Sequence, residues 1–261
     1  MKLSAHIKAF YNYRGLLFQL IKKDQIKRYK KSVLGYAWSV LNPLLTMMVM
    51  VMVFSQIFDR KVENFPIYLI TGQLMFNMMS ESSQIAMNSI TGNASLIQKV
   101  YMPKYIFPLS SICSSLYNQM YSLIALLIVM LATSYVPPKT IFLFIIPLFY
   151  QYLFCVGWGL ILSTLMVFFR DMRYIYRILI TLWTYMTPIF YTADALPEYT
   201  FNLIKTVNPM YHFITYMRTL ILDGKVPGVR ENLICFSFGF GFLVVGLLLF
   251  YKKQDRFVEY I

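Results

Sequence analysis

Charge is what this chain has least of. Asp, Glu, Lys and Arg make up 13% of its 261 residues, and hydrophobic residues 58%. A soluble domain carries about 25% charged and 45–50% apolar residues, so a water-soluble globule is excluded. Acids are scarcer than bases, 11 against 24 Lys and Arg, giving a net charge of +13. His6 and His212 stand apart, and Cys113, Cys155 and Cys235 lie inside apolar blocks with no metal-ligand spacing. That pattern argues against a metal centre or a disulfide framework and for small buried hydrophobes. No Gly-x-x-x-x-Gly-Lys-Ser/Thr phosphate loop, Gly-x-Ser-x-Gly elbow, His-Glu-x-x-His pair or intramembrane carboxylate cluster is present. A transporter built from this chain must take its energy from elsewhere. The first residues lack an apolar core followed by a small-residue cleavage site, so no removable signal peptide is expected.

What the chain has instead is long apolar blocks, which exclude disorder and read as membrane-spanning helices, not as the alternating strands of a barrel. The pattern predicts an all-α integral membrane protein with six spans in a single transmembrane domain, residues 1–261. They are Val33 to Phe58 with a local kink at Asn42-Pro43, Ile67 to Ile90, Leu109 to Tyr135, Thr140 to Phe169, Tyr174 to Tyr191, and Leu233 to Tyr251. Before them, residues 10–31 set apolar positions at helical spacing and then a dense run of Lys and Arg, as in an amphipathic helix lying in the membrane interface. Between the fifth and sixth, residues 192–230 hold two apolar pieces, Tyr199–Val207 and Met210–Leu222, parted by Asn208-Pro209. Each is too short to cross a hydrocarbon core of about 30 Å, so they read as a re-entrant hairpin. With six spans, 17 of the 24 cations share one side with both termini, which places both ends in the cytoplasm.

The run Asn93-Ala94-Ser95-Leu96-Ile97-Gln98-Lys99-Val100-Tyr101-Met102-Pro103-Lys104 interrupts the apolar pattern after the second block. Asn93 or Ser95 can cap a short helix and Pro103 can end it. Leu96, Ile97, Val100 and Tyr101 then share a face that either rests on lipid or enters a groove on a soluble partner. Arg170-Asp171-Met172-Arg173 closes the fourth block and serves as a topology anchor; Arg170 or Arg173 could also fork onto a substrate phosphate. Glu81, the acid inside a predicted span, meets either the substrate path, a second copy, or simply a neighbouring helix. Trp183, Tyr185, Phe190 and Tyr191 lead into the broken segment as a run of flat amphipathic rings.

Taken in order, several runs resemble the permease subunits of bacterial ABC exporters for polysaccharide, O-antigen and teichoic acid. They are Lys27-Arg28-Tyr29-Lys30-Lys31-Ser32-Val33-Leu34-Gly35-Tyr36-Ala37-Trp38, Leu41-Asn42-Pro43-Leu44, the 93–104 run, Phe168-Phe169-Arg170-Asp171-Met172-Arg173-Tyr174, Thr187-Pro188-Ile189-Phe190-Tyr191 and Val207-Asn208-Pro209-Met210. The resemblance implies that residues 93–104 form a coupling helix, with Asn93, Leu96, Ile97, Lys99, Val100 and Tyr101 meeting the ATPase. It puts Arg170, Asp171 and Arg173 at a cytoplasmic gate, the four aromatics along a channel, and residues 192–230 at an external gate. It also implies the partners: a second copy of the chain, two ATP-binding subunits that hold ATP and Mg, a lipid-linked glycan and membrane lipids, with no nucleic acid. The chain itself would hold no cofactor and perform no bond chemistry, in a bacterial cytoplasmic membrane. Rival readings are an ABC exporter of a drug or small lipid, a secondary transporter and a membrane enzyme acting on lipid-linked sugars. The second needs midplane ion ligands and an inverted repeat, and the third needs convergent carboxylates or histidines. Neither pattern is found.

Overall fold

The structure is a computed structural model that describes residues 3–30, 32–58, 64–100, 102–192 and 196–261. Its helices are α1 (Leu3–Tyr29), α2 (Trp38–Phe58), α3 (Phe65–Ser89), α4 (Ala94–Lys99), α5 (Ile106–Ala132), α6 (Ile145–Phe168), α7 (Met172–Met186), α8 (Glu198–Val207), α9 (Pro209–Ile221), α10 (Val229–Lys253) and α11 (Phe257–Tyr260). Single 3-10 turns or runs lead into α2, α4, α6 and α11. No strand occurs among the described residues. The polar turn expected at residues 59–63 lies outside them, as do Lys31, Tyr101 and Asp194.

Four helical stretches are long and apolar enough to cross a membrane: Gly35–Phe54, Ile106–Ala132, Lys139–Phe168 and Val229–Tyr260. The other two expected spans take a different form. Helix α3 has 25 residues, but Gln73, Asn77, Glu81, Gln84 and Asn88 lower its hydropathy. It is the central helix, packed against α2, α5, α6 and α9, so protein surrounds most of it. Helix α7 has 15 residues, about 22 Å at 1.5 Å per residue, short of a core of about 30 Å. It stops because Thr187 precedes Pro188 and adopts extended backbone, as residues before proline do. Tyr176 is its one buried side chain among the described residues. The Tyr176 hydroxyl donates to Ser83 Oγ at 2.7 Å and accepts from Trp158 Nε1 at 3.0 Å.

Close helix contact comes from small residues, as is usual between helices in lipid. Helices α6 and α10 form the most extensive pair. A Cβ on Gly157 would strike the Phe242 backbone, and one on Gly246 would strike the Gly157 carbonyl. Helix α2 continues through Pro43. That proline has no N–H to donate, which leaves the Ser39 carbonyl one turn back without its ladder partner. Ser122 Oγ on α5 donates to it at 3.0 Å, so a neighbouring helix repairs the ladder.

Helix α1 does not stand apart from the bundle. Leu20 and Gln25 are buried, and Gln25 Nε2 donates to the Ser114 carbonyl at 2.8 Å and to Ser114 Oγ at 2.9 Å. A second apolar cluster gathers Leu20, Ile97, Ile106, Val167, Phe250 and Phe257. It brings α1, α4, the start of α5, the end of α6 and the C-terminal turns to one end of the bundle.

Candidate functional site

A polar pocket of about 530 Å³ opens between α1, α2, α3 and α5. It exists because polar side chains recur at helical spacing on two apolar helices: Asn77, Glu81 and Gln84 on α3, and Ser115, Asn118, Gln119 and Ser122 on α5. Trp38, Asn42 and Leu74 complete much of the wall. A connected network lines one side. Arg28 of α1 pairs with Glu81 Oε1, both side chains being partly buried. Asn118 Nδ2 donates to Glu81 Oε2 at 3.4 Å, and Asn118 Oδ1 accepts from Ser39 Oγ at 2.6 Å. Helices α1, α3 and α5 thereby meet at one carboxylate, and Ser39 joins α2 to the same network. Of the roles open to Glu81, the structure supplies a partner on a neighbouring helix, and that partner is a cation. Next to it on α1, burial raises the Asp24 carboxyl above its ordinary range, opposed by Lys23, Lys27 and Arg28.

The 93–104 segment sits at the end of the bundle that holds α11. Helix α4 begins at Ala94, with Asn93 in the capping position, but the Asn93 side chain makes no cap and instead donates to the Ser89 carbonyl at 2.7 Å. Helix α4 ends at Lys99, and Val100 leaves it in extended backbone. The expected single stripe is therefore split. Ile97 is buried, Leu96 packs against the same cluster, and Val100 is exposed, as is Lys99. Tyr101 lies outside the described residues. Gln98 Nε2 donates to the Ile261 carbonyl at 2.8 Å and Lys104 Nζ to that of Gln254 at 2.6 Å, which ties the loop to the C-terminal turns. Burial pushes the Lys104 ammonium below its usual range, against the opposing pull of Asp255. Arg170, Asp171 and Arg173 are exposed at the start of α7.

The four expected channel aromatics have different surroundings. Trp183 is packed edge-on against Phe154 and Trp158, with ring centroids 6.2 and 6.1 Å away. Its Nε1 donates to Asn208 Oδ1 at 2.8 Å, which ties it to the start of α9. Tyr185 is exposed, Phe190 stacks on Phe54, and the Tyr191 hydroxyl donates to the Tyr185 carbonyl at 2.7 Å. Asn208 also accepts from the Met210 N–H at 3.0 Å, capping α9, and donates to Thr187 Oγ1 at 2.9 Å. The Thr187-Pro188 and Asn208-Pro209 runs are thus two halves of one clamp at the break after α7.

Arg218 is one of the seven cations that the six-span topology leaves on the side away from the termini. In the structure its side chain is buried in α9. Nη1 donates to the Pro188 carbonyl at 2.7 Å, Nη2 to those of Ile189 at 3.1 Å and Tyr68 at 3.0 Å, and the guanidinium lies 3.4 Å from the centre of the Tyr68 ring. The available signal was an arginine within an apolar helix, followed by the observation that the unwound 187–191 segment needs donors for its carbonyls. For the pocket, the signal was the polar spacing along α3 and α5 given above.

The sequence profile of the ABC-2 type transporter family matches residues 15–222. The chain is 34% identical over 259 residues to the O-antigen export system permease protein RfbA of Klebsiella pneumoniae, covering 97% of this chain and 98% of that one. It is 28% identical over 256 residues to the protein of the same description from Myxococcus xanthus, covering 98% of each. It is 24% identical over 237 residues to the polysialic acid transport protein KpsM of Escherichia coli, covering 87% and 89%.

Proposed function

We propose, because this chain belongs to the ABC-2 type transporter family, that it is the permease subunit of a bacterial exporter for a lipid-linked polysaccharide. One observation carries this reading: its likeness to O-antigen export permeases runs along nearly the full length of both partners. The energy source is ATP hydrolysed with Mg on a separate pair of ATP-binding subunits, and the chain performs no bond chemistry of its own.

In this reading α3 and α7 complete six crossings, with α7 prolonged by the unwound 187–191 segment. Helices α8 and α9 form the re-entrant external gate, held to the bundle by Asn208 and Arg218. Both termini face the cytoplasm, as the cation distribution favours. The motor meets the 93–104 segment through Val100 and Lys99, while Ile97 transmits the load inward to α1 and α11. Arg170, Asp171 and Arg173 border the cytoplasmic entrance. Two copies related by a two-fold axis enclose the path. The apolar outer surface of α2, with Met48, Met52 and Val53 exposed, supports a lipid-facing or copy-facing wall.

The test is removal of this chain from a host that makes a surface glycan. Surface glycan should disappear and lipid-linked glycan should accumulate inside the cell, with restoration by the wild-type chain plus its ATPase. Normal surface glycan in the deleted strain would overturn the reading.

A further inference from the structure

The geometry points to the pocket between α1, α2, α3 and α5 as a binding subsite for neutral, hydroxyl-bearing sugar units of the exported chain. This rests on the permease reading above and assigns the substrate chemistry of one place within it. Burying polar groups without partners is costly, more so inside a membrane protein. Yet Gln119 Nε2 and Ser115 Oγ, on residues only 4% and 2% exposed, find no hydrogen-bond partner among the described residues. Both residues line the pocket, as do Asn77 and Gln84, the two exposed residues of the otherwise well-covered α3. A sugar hydroxyl donates and accepts at once, so it can satisfy an amide N–H and a serine hydroxyl in the same place.

The charge in the pocket also selects its occupant. Arg28 and Glu81 are paired to each other, so a phosphate drawn to the guanidinium would meet the carboxylate beside it. A neutral polyol meets no such opposition and can donate to the carboxylate. Trp38, 45% exposed on the wall, offers a ring face to the apolar side of a sugar. The volume of about 530 Å³ lies within the range of about 300–1,000 Å³ usual for small-ligand sites.

The experiment uses the whole complex in glycan-producing cells. Gln119→Met removes the orphaned buried amide N–H at nearly constant shape, a change that leaves stability the same or raises it if the residue is only structural packing. If the amide holds sugar, export in a pulse-chase slows about five- to tenfold while the melting temperature does not fall. In parallel, Asn77→Cys is alkylated above the wild-type background, and labelling should slow in cells making glycan relative to cells that do not. Inorganic phosphate added to glycan-free membranes should not protect it. Unchanged export by Gln119→Met and unprotected Asn77→Cys, with a wild-type complex that exports, would remove the subsite and leave the permease reading standing. Protection by phosphate alone would make the pocket an anion site and overturn the proposal. A wild-type complex that moves no glycan would instead remove the permease reading, and the subsite with it.

Discussion

Arg28 and Glu81, 53 residues apart, form an ion pair that joins the helix preceding the first apolar run to the central helix of the bundle. Asn118 shares the same carboxylate, so α1, α3 and α5 converge on one charged group. Hydrogen bonds to charged groups contribute about 1.5–3 kcal/mol, and removing one partner leaves the other charge half-buried. Arg28→Gln and Glu81→Gln should each lower stability by about 1–3 kcal/mol, less when combined than the two effects added. A double-mutant cycle by thermal unfolding in detergent checks this. Fully additive losses would mean that the pair does not interact.

A second relationship follows from Pro43. Because the proline frees the Ser39 carbonyl, Ser122→Ala should cost about 1 kcal/mol in the wild-type background. With Pro43→Ala the ladder bond returns, and the same substitution should then cost close to nothing. Equal cost in both backgrounds, measured by the same unfolding assay, would show that Ser122 does not repair the ladder.

Much of the fold could be read from the sequence, and for a physical reason. Apolar length and proline position are local properties, so the elements near 67–90, 109–135 and 210–222 are met by α3, α5 and α9 within a few residues. The long apolar blocks likewise gave an all-helical membrane protein. Hydropathy could not show that α7 stops at Thr187, because Ile189, Phe190 and Tyr191 continue the apolar run past the break. Pairings were harder still. Glu81 shows as a costly acid, but nothing local ties it to Arg28, and Arg218 shows only as one of the seven cations on the side away from the termini. Helical spacing placed Val100 with Leu96 and Ile97, yet the helix ends one residue too soon.

Arg218→Lys tests the anchor of the broken segment. A lysine ammonium lacks the planar fork that reaches the Pro188, Ile189 and Tyr68 carbonyls together. The substitution should destabilise the protein by on the order of 3 kcal/mol and raise protease cleavage between residues 187 and 197. An unchanged melting temperature and cleavage pattern would show that the carbonyls are held by other means.

The split of the 93–104 segment separates coupling from folding. Val100→Asp alters an exposed extended residue and should change stability by less than about 0.5 kcal/mol, yet lower capture of the ATPase subunit and its stimulated turnover. Ile97→Asp buries a charge in the cluster with Leu20 and Phe257 and should cost about 3 kcal/mol or more. Co-purification alongside thermal unfolding distinguishes them. Normal ATPase capture by Val100→Asp would move the contact elsewhere.

The most direct test places the purified chain in proteoliposomes containing lipid-linked glycan, with and without its ATP-binding subunits, and counts glycan crossing the bilayer as ATP is consumed. Movement should require this chain, the ATPase and ATP together, and should fail with either protein alone. Glycan that crosses at the same rate without ATP, or a complete complex that hydrolyses ATP and moves none, would contradict the account.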